Sequence, residues 1–101
     1  MPEAHATDEL QRKASEVSST LRLLSNEKRL LALCHLAQAG EMSVGVLSEA
    51  VGLSQSALSQ HLSLLRADEL VGTRRDAQTL YYRITDARVL KLLECLRDVY
   101  C

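Results

Sequence analysis

The chain has 101 residues, enough for one domain with a single hydrophobic core. Its net charge of −1, from 12 basic and 13 acidic side chains, excludes a uniformly basic nucleic-acid binder but allows a local basic patch. No apolar run approaches the ~20 residues that span a membrane, and no secretory signal begins the chain, so we expect a cytoplasmic protein without membrane contact.

The first two thirds of the chain predict four helices. Residues 1–7 are expected to be disordered, and residues 8–101 to form one domain. The helices are predicted over 8–24, 26–39, 43–51 and 54–67, with Ser43 and Ser54 as caps and with Gly40 and Gly52 as stops. The short gap after Gly52 resembles the glycine-containing turn of a helix-turn-helix.

The last third predicts a hairpin and a final helix. Residues 79–84 are rich in β-branched and aromatic side chains, 71–75 are the expected partner strand, and 76–78 the turn. Thr85 is expected to cap a helix over 86–100 with an apolar stripe. The fold class is therefore mainly α, an α+β winged helix-turn-helix of order α-α-α-α-β-β-α, and we expect its first and last helices to pair with those of a second copy.

The fourth helix has two unlike faces. Its apolar face carries Leu58, Leu62 and Leu65, and its opposite face is short, uncharged and rich in hydroxyls and amides. An ordinary exposed helix face would carry Lys and Glu, so we interpret this one as a surface that reads base edges in a major groove. Gln60 is suited to bidentate pairing with adenine. Gln55, near the start of the helix, is suited to contact with a phosphate. The other candidate DNA-binding residues on this helix are Ser56, Ser59 and Ser63.

Arg74 and Arg75 lie on the predicted hairpin directly after this helix. Adjacent strand residues point to opposite faces, so at most one of the two points directly at DNA. The alternative is a solvated hairpin with an ion pair to Asp76. A base-reading helix beside an arginine hairpin favours a winged helix-turn-helix protein that binds double-stranded DNA, and two copies would place their reading helices about 34 Å apart on a near-palindromic operator.

The three cysteines, Cys34, Cys95 and Cys101, lack the spacing of a metal site. Their spacing alone does not establish thiol chemistry either. A metal or metalloid sensor with an unfamiliar cysteine arrangement, a thiol enzyme, and a helical interaction module that never touches DNA remain alternatives at this point.

Three segments resemble the ArsR/SmtB family of bacterial repressors: LRLLSNEKRLLALCHL, VGLSQSALSQHLSLLR and LVGTRRDAQTLYY. The resemblance implies a dimeric winged-helix repressor that leaves DNA when an inducer acts on it. Where metal-sensing members carry Cys-x-Cys, this chain has Ser43, Val44 and Gly45, and the segment VLKLLECL has no His. These departures argue against sensing of zinc, cadmium or arsenite through those family sites.

The closer resemblance is to the thiol- and persulfide-sensing branch, through Leu33-Cys34-His35-Leu36 and Tyr100-Cys101. It implies that Cys34 and Cys101 are the redox-sensing pair and that a sulfane-sulfur donor or an oxidant bridges them and releases the operator. Cys95 has no counterpart in this pattern. We expect no enzyme activity, catalytic residues, cofactor or metal ligands, and the alternative function is a metal- or metalloid-responsive repressor that uses cysteine thiolates.

Overall fold

The computed structural model describes the backbone of residues 2–101 and the side chains of residues 8–101. The helices are α1 (Pro2–Leu24), α2 (Glu27–Ala39), α3 (Val44–Val51), α4 (Gln55–Ala67) and α5 (Ala87–Tyr100). The strands are β1 (Met42–Ser43), β2 (Val71–Asp76) and β3 (Thr79–Ile84). The predicted winged helix-turn-helix is confirmed. Within the described part of the chain, no helix combines the length and the apolarity needed to cross a membrane.

Helix α1 begins at Pro2, six residues before the predicted start at Asp8. Met1 and the side chains of residues 2–7 lie outside the described residues. The predicted disorder of residues 1–7 concerns this segment and stays a prediction.

The sheet has a third strand that the sequence analysis did not predict. Strand β1 pairs antiparallel with β3, Met42 opposite Tyr82 and Ser43 opposite Tyr81, and the strand order is β1-β3-β2. The element order is therefore α-α-β-α-α-β-β-α, and the predicted order was wrong in omitting β1. Two residues are too few to show an alternating pattern, so only the distant partner β3 defines this strand.

Side-chain caps fix most helix starts. The side chains of Asn26, Ser43 and Ser54 each accept a hydrogen bond from the backbone N–H three residues ahead, at 3.0, 3.3 and 3.1 Å. The predicted cap of α5 was wrong, because Asp86 accepts from the backbone of the helix and Thr85 does not. Thr85 instead donates its hydroxyl to the carbonyl of Glu69, at 3.2 Å, which ties the end of β3 to the end of α4.

Helices α3 and α4 end in the same way with different residues. In each, a residue at the helix end is left-handed, with φ of 74° at Gly52 and 62° at Glu69. The N–H of the next residue donates to a carbonyl five positions back, from Leu53 to Ser48 O and from Leu70 to Leu65 O. This is a Schellman motif, in which glycine is the favoured residue and Glu69 is strained.

The hairpin turn is shorter than predicted. Strand β2 continues through Asp76, which pairs with Thr79, so the turn consists of Ala77 and Gln78 rather than 76–78. Ala77 has a φ of 54°, which makes it a second non-glycine residue in the left-handed region among the described residues. The hairpin extends the sheet beyond the core and forms the wing of the fold.

The core lies where α2, α3, α4 and α5 meet the inner face of the sheet. Its apolar side chains include the three α4 leucines predicted to point inward, each 0% exposed. The largest fully buried side chains are Leu33, Leu36, Leu47, Leu58, Leu62, Leu65 and Val89. Burial of one face of α4 by these contacts fixes which residues its other face presents to solvent.

Candidate DNA-binding face and thiol cavity

The outer face of α4 presents the residues that the sequence analysis singled out. Ser56, Ser59, Gln60 and Ser63 are all exposed, opposite the buried leucines. The Ser63 hydroxyl donates to the carbonyl of Ser59 at 2.9 Å, so its proton is used within the helix and its oxygen remains an acceptor. The face combines hydroxyl and amide groups that suit base edges.

Gln55 occupies the first turn of α4 and its side chain lies against the start of α3. A Cβ atom built on Gly45 would be 3.5 Å from the Gln55 side-chain nitrogen. This is an ordinary van der Waals distance, so the Gln55 amide lies close beside the first turn of α3. Gln55 is exposed at the N-terminal end of α4, where the helix dipole favours an anion such as phosphate.

The two wing arginines lie on opposite faces of the hairpin. Arg75 shares the inner face with Val71, which is buried in the core beneath the hairpin. Arg74 lies on the outer face, where its guanidinium stands 4.6 Å from the centre of the Tyr81 ring. The two side chains therefore have different surroundings although they are neighbours in sequence.

Arg74 forms an ion pair with Glu41, not with the Asp76 considered from the sequence. Its Nη2 donates to Oε1 of Glu41 at 2.6 Å, and its Nε donates to Oε2 at 2.8 Å. These hydrogen bonds, with the positive charge of Arg74, hold the pKa of Glu41 below its usual range. Sequence reasoning missed Glu41, because nothing in its local sequence shows that the β1–β3 pairing brings it across the sheet from Arg74.

A cavity of about 510 Å³ lies between α2 and α5 and contains two of the three thiols. Cys34 comes from the middle of α2 and Cys101 from the position directly after α5. Both are free thiols. The other side chains that line the cavity are mainly apolar, including Leu30, Ala37, Leu90, Leu93 and Leu96, with Arg97 and Tyr100 beside Cys101.

The cavity affects the thiol of Cys34. Although Cys34 is exposed to solvent on one side, its partial burial raises the pKa of its thiol, and the nearby Cys101 raises that pKa further. Cys34 is therefore held mostly protonated at neutral pH, in the form that reacts slowly. Cys95 is a third free thiol, exposed on another side of α5 and not among the residues that line the cavity.

The described residues contain no group of three or more His, Cys, Asp or Glu side chains arranged to hold a metal ion. Among the described residues that line the cavity, Glu94 is the one acidic side chain.

The fold and these surfaces define a winged helix-turn-helix DNA-binding protein. A family model with the description "Bacterial regulatory protein, arsR family" matches residues 26–73, from the cap of α2 into β2. The nodulation protein NolR of Rhizobium meliloti is 52% identical over 99 residues, which cover 98% of this chain and 75% of NolR. The chain belongs to the arsR family of bacterial regulatory proteins.

Two solved structures agree with this assignment. The crystal structure of the transcriptional repressor BigR from Xylella fastidiosa is 37% identical, with a TM-score of 0.88 over 94% of this chain and 96% of BigR. The structure of reduced HlyU from Vibrio cholerae is 44% identical, with a TM-score of 0.86 over 92% of this chain and 97% of HlyU. Regulators of this family bind DNA and form homodimers, and this chain is a DNA-binding transcriptional regulator.

Proposed function

We propose that the protein is a homodimeric repressor that senses reactive sulfur species or oxidants through Cys34 and Cys101 and then releases its operator. One observation carries this proposal: two thiols that are 67 positions apart in sequence line the same cavity. The likeness to BigR, a transcriptional repressor, supports repression as the mode of action.

Exposed apolar side chains support the dimer. Helix α5 exposes Val99 and Tyr100 by 76% and 82%, beside the less exposed Leu92 and Leu96. Helix α1 exposes another apolar row, which comprises Leu10, Val17 and Leu21. A small domain gains stability when a second copy covers such faces, and family members do form homodimers.

In this dimer the polar face of α4 enters the major groove. Gln60 and Ser59 lie near the middle of the helix and contact base edges, while Gln55 at its start contacts a phosphate. Ser56 and Ser63 extend the same face toward either end of the helix. The wing supplies Arg74 or Arg75 to the neighbouring phosphates, and the two copies read a near-palindromic operator.

The sensing chemistry needs no cofactor. A cysteine thiol reacts with a persulfide R–S–SH at its outer sulfur, giving the cysteine persulfide and releasing R–SH. The thiol of the other cysteine then attacks the inner sulfur, forming a disulfide and releasing H₂S. When both cysteines are persulfides, the same attack gives a trisulfide and one H₂S. With a peroxide, the first step gives a sulfenic acid and an alcohol or water, and the second releases water.

The bridge acts by joining two elements with different neighbours. Helix α2 packs on α3 and α4, which form the DNA-binding unit, whereas α5 carries an exposed apolar face. A bond between Cys34 and Cys101 restrains α2 against α5. It thereby changes the separation and tilt of the two α4 helices in the dimer. The bridged dimer then no longer fits the operator and releases it.

The test compares three cysteine variants on the DNA upstream of the protein's own gene. Reduced wild type, Cys34→Ser and Cys101→Ser should bind it with similar affinity in fluorescence anisotropy. After treatment with a glutathione persulfide, only the wild type should release the DNA, with mass spectrometry showing a bridge within one chain. Cys95→Ser is the matched control and should respond as the wild type does.

Two results would contradict this proposal. Release of DNA by the Cys34→Ser or Cys101→Ser variant would show that the signal does not need the bridge. Release by arsenite or zinc at stoichiometric concentration, with no response to persulfide or peroxide, would favour the metal- or metalloid-responsive repressor instead.

A further inference from the structure

The ion pair between Arg74 and Glu41 crosses the outer face of the sheet. Arg74 projects from β2 and lies over Tyr81 of the central strand β3, and Glu41 precedes β1 on the far side. The guanidinium directs its Nε and Nη2 donors at both carboxylate oxygens, a bidentate arrangement. Arg83 contributes a second positive charge that stabilises the Glu41 carboxylate.

We propose that Glu41 is an internal counter-ion that keeps Arg74 away from DNA phosphates, so that the phosphate contact of the wing falls to Arg75. This inference rests on the proposed DNA-binding face and assigns different roles to the two wing arginines. Glu41 is a positioning residue here, because it acts through Arg74 and does not itself touch DNA.

The geometry makes Arg74 a poor phosphate ligand. A phosphate would have to displace a carboxylate that already takes two of its donor groups, and the Tyr81 ring covers one face of the guanidinium. The carboxylate also remains charged throughout the physiological range, because the pKa of Glu41 is held low by Arg74. The competing anion is therefore always present.

Arg75 is placed differently. It lies on the inner face of the hairpin, opposite Leu80, which packs against the edge of the core. Strand β2 packs against α4, so the inner face of the wing is the one directed toward the helix that reads the bases. Arg75 is exposed there. A phosphate flanking the groove occupied by α4 is thus nearest to Arg75.

This arrangement has a consequence for specificity. Each arginine free to bind phosphate adds affinity for any DNA sequence, because a phosphate contact carries no base information. Neutralising Arg74 within the protein lowers that general affinity and leaves the base contacts of α4 unchanged. Glu41 thereby increases the difference between operator and random DNA.

The experiment measures binding of the reduced, full-length chain to a fluorescent random duplex of about 30 base pairs as a function of salt. In the wild type the logarithm of the binding constant falls linearly with the logarithm of salt concentration. Arg75→Gln should make this slope less steep by about 0.9 per subunit. Arg74→Gln should change the slope much less than Arg75→Gln does, although it leaves the Glu41 carboxylate unpaired and so lowers the affinity somewhat.

Glu41→Gln is the decisive variant. It should make the slope steeper by up to about 0.9 per subunit and strengthen binding roughly five- to tenfold per subunit at about 0.1 M salt, because Arg74 is released to phosphate. The double variant Glu41→Gln/Arg74→Gln should return to the wild-type slope. Equal thermal unfolding curves for all variants would show that the wing remains folded.

An Arg74→Gln slope that falls as far as that of Arg75→Gln would overturn the inference, as would an unchanged slope for Glu41→Gln. These outcomes differ from failure of the proposed function. If the proposed function failed, the wild-type chain itself would not bind duplex DNA, and Glu41 could not have the role proposed here.

Discussion

The reactivity of Cys34 should depend on pH and on its neighbour in the cavity. Burial and the nearby Cys101 both raise the pKa of the Cys34 thiol. Because only the thiolate reacts, its rate of alkylation rises tenfold per pH unit while the pH is below the pKa. From about pH 7 to about pH 8.5 the rate of an ordinary thiol with a pKa of about 8.5 would rise about 16-fold and begin to level off, whereas the rate of Cys34 should rise by more than that, toward the limit of roughly 30-fold.

Replacement of the neighbour tests the second cause of this shift. In Cys101→Ser the contribution of Cys101 to the raised pKa of Cys34 is lost while the larger contribution, from burial, is retained, so the pKa of Cys34 should fall partway toward its usual value and its alkylation should be faster. The assay is pulse labelling with iodoacetamide followed by digestion and mass spectrometry, which reports each cysteine separately. Cys95, outside the cavity, is the internal control and should label at the same rate in both proteins.

A levelling-off of the Cys34 profile below about pH 8.5 would refute the argument from burial, since an ordinary thiol is half ionised there. A Cys34 rate that is unchanged in Cys101→Ser would show that the two sulfur atoms do not interact. That result would leave the shared cavity as the structural support for the sensing pair.

Three further predictions concern α3 and α4. Glu69→Gly should raise the free energy of unfolding by about 1 kcal/mol in urea denaturation, because glycine tolerates the left-handed φ of 62° that ends α4. Gly52→Ala, at the matching position of α3, should lower that free energy by a similar amount. Gln60→Ala should weaken operator binding by about 1–3 kcal/mol with no change in salt slope, since it removes a base contact and no phosphate contact. An equal loss on random DNA would show that Gln60 does not read bases.

Local signals explain why the DNA-binding unit could be predicted closely. Ser43 and Ser54 cap α3 and α4, and Gly52 ends α3, all through hydrogen bonds within a few residues of the helix end. The two faces of α4 follow from helical periodicity, which depends on the sequence alone. The cap of α5 was predicted one residue too early, because Thr85 and Asp86 are both good caps in sequence. In the structure Thr85 bonds to Glu69, and Asp86 caps the helix.

The proximity of Cys34 and Cys101 could not be predicted from local sequence signals. The resemblance to the thiol-sensing branch implied that Cys34 and Cys101 act together, but their spacing of 67 positions did not. They share a cavity because α5 packs back along α2, an arrangement set by buried residues such as Leu33 and Leu93. The raised pKa of Cys34 likewise depends on burial that only the packed chain produces.

The sequence by itself determined the helices and the hairpin of this protein, with the polar surface of α4, because capping and periodicity act over fewer than ten residues. The tertiary structure alone decided the pairing of β1 with β3, the position of Glu41 across the sheet from Arg74, and the placement of Cys34 and Cys101 at one cavity. These features join segments that are distant in the chain. They depend on how the elements pack, and no short stretch of sequence carries that information.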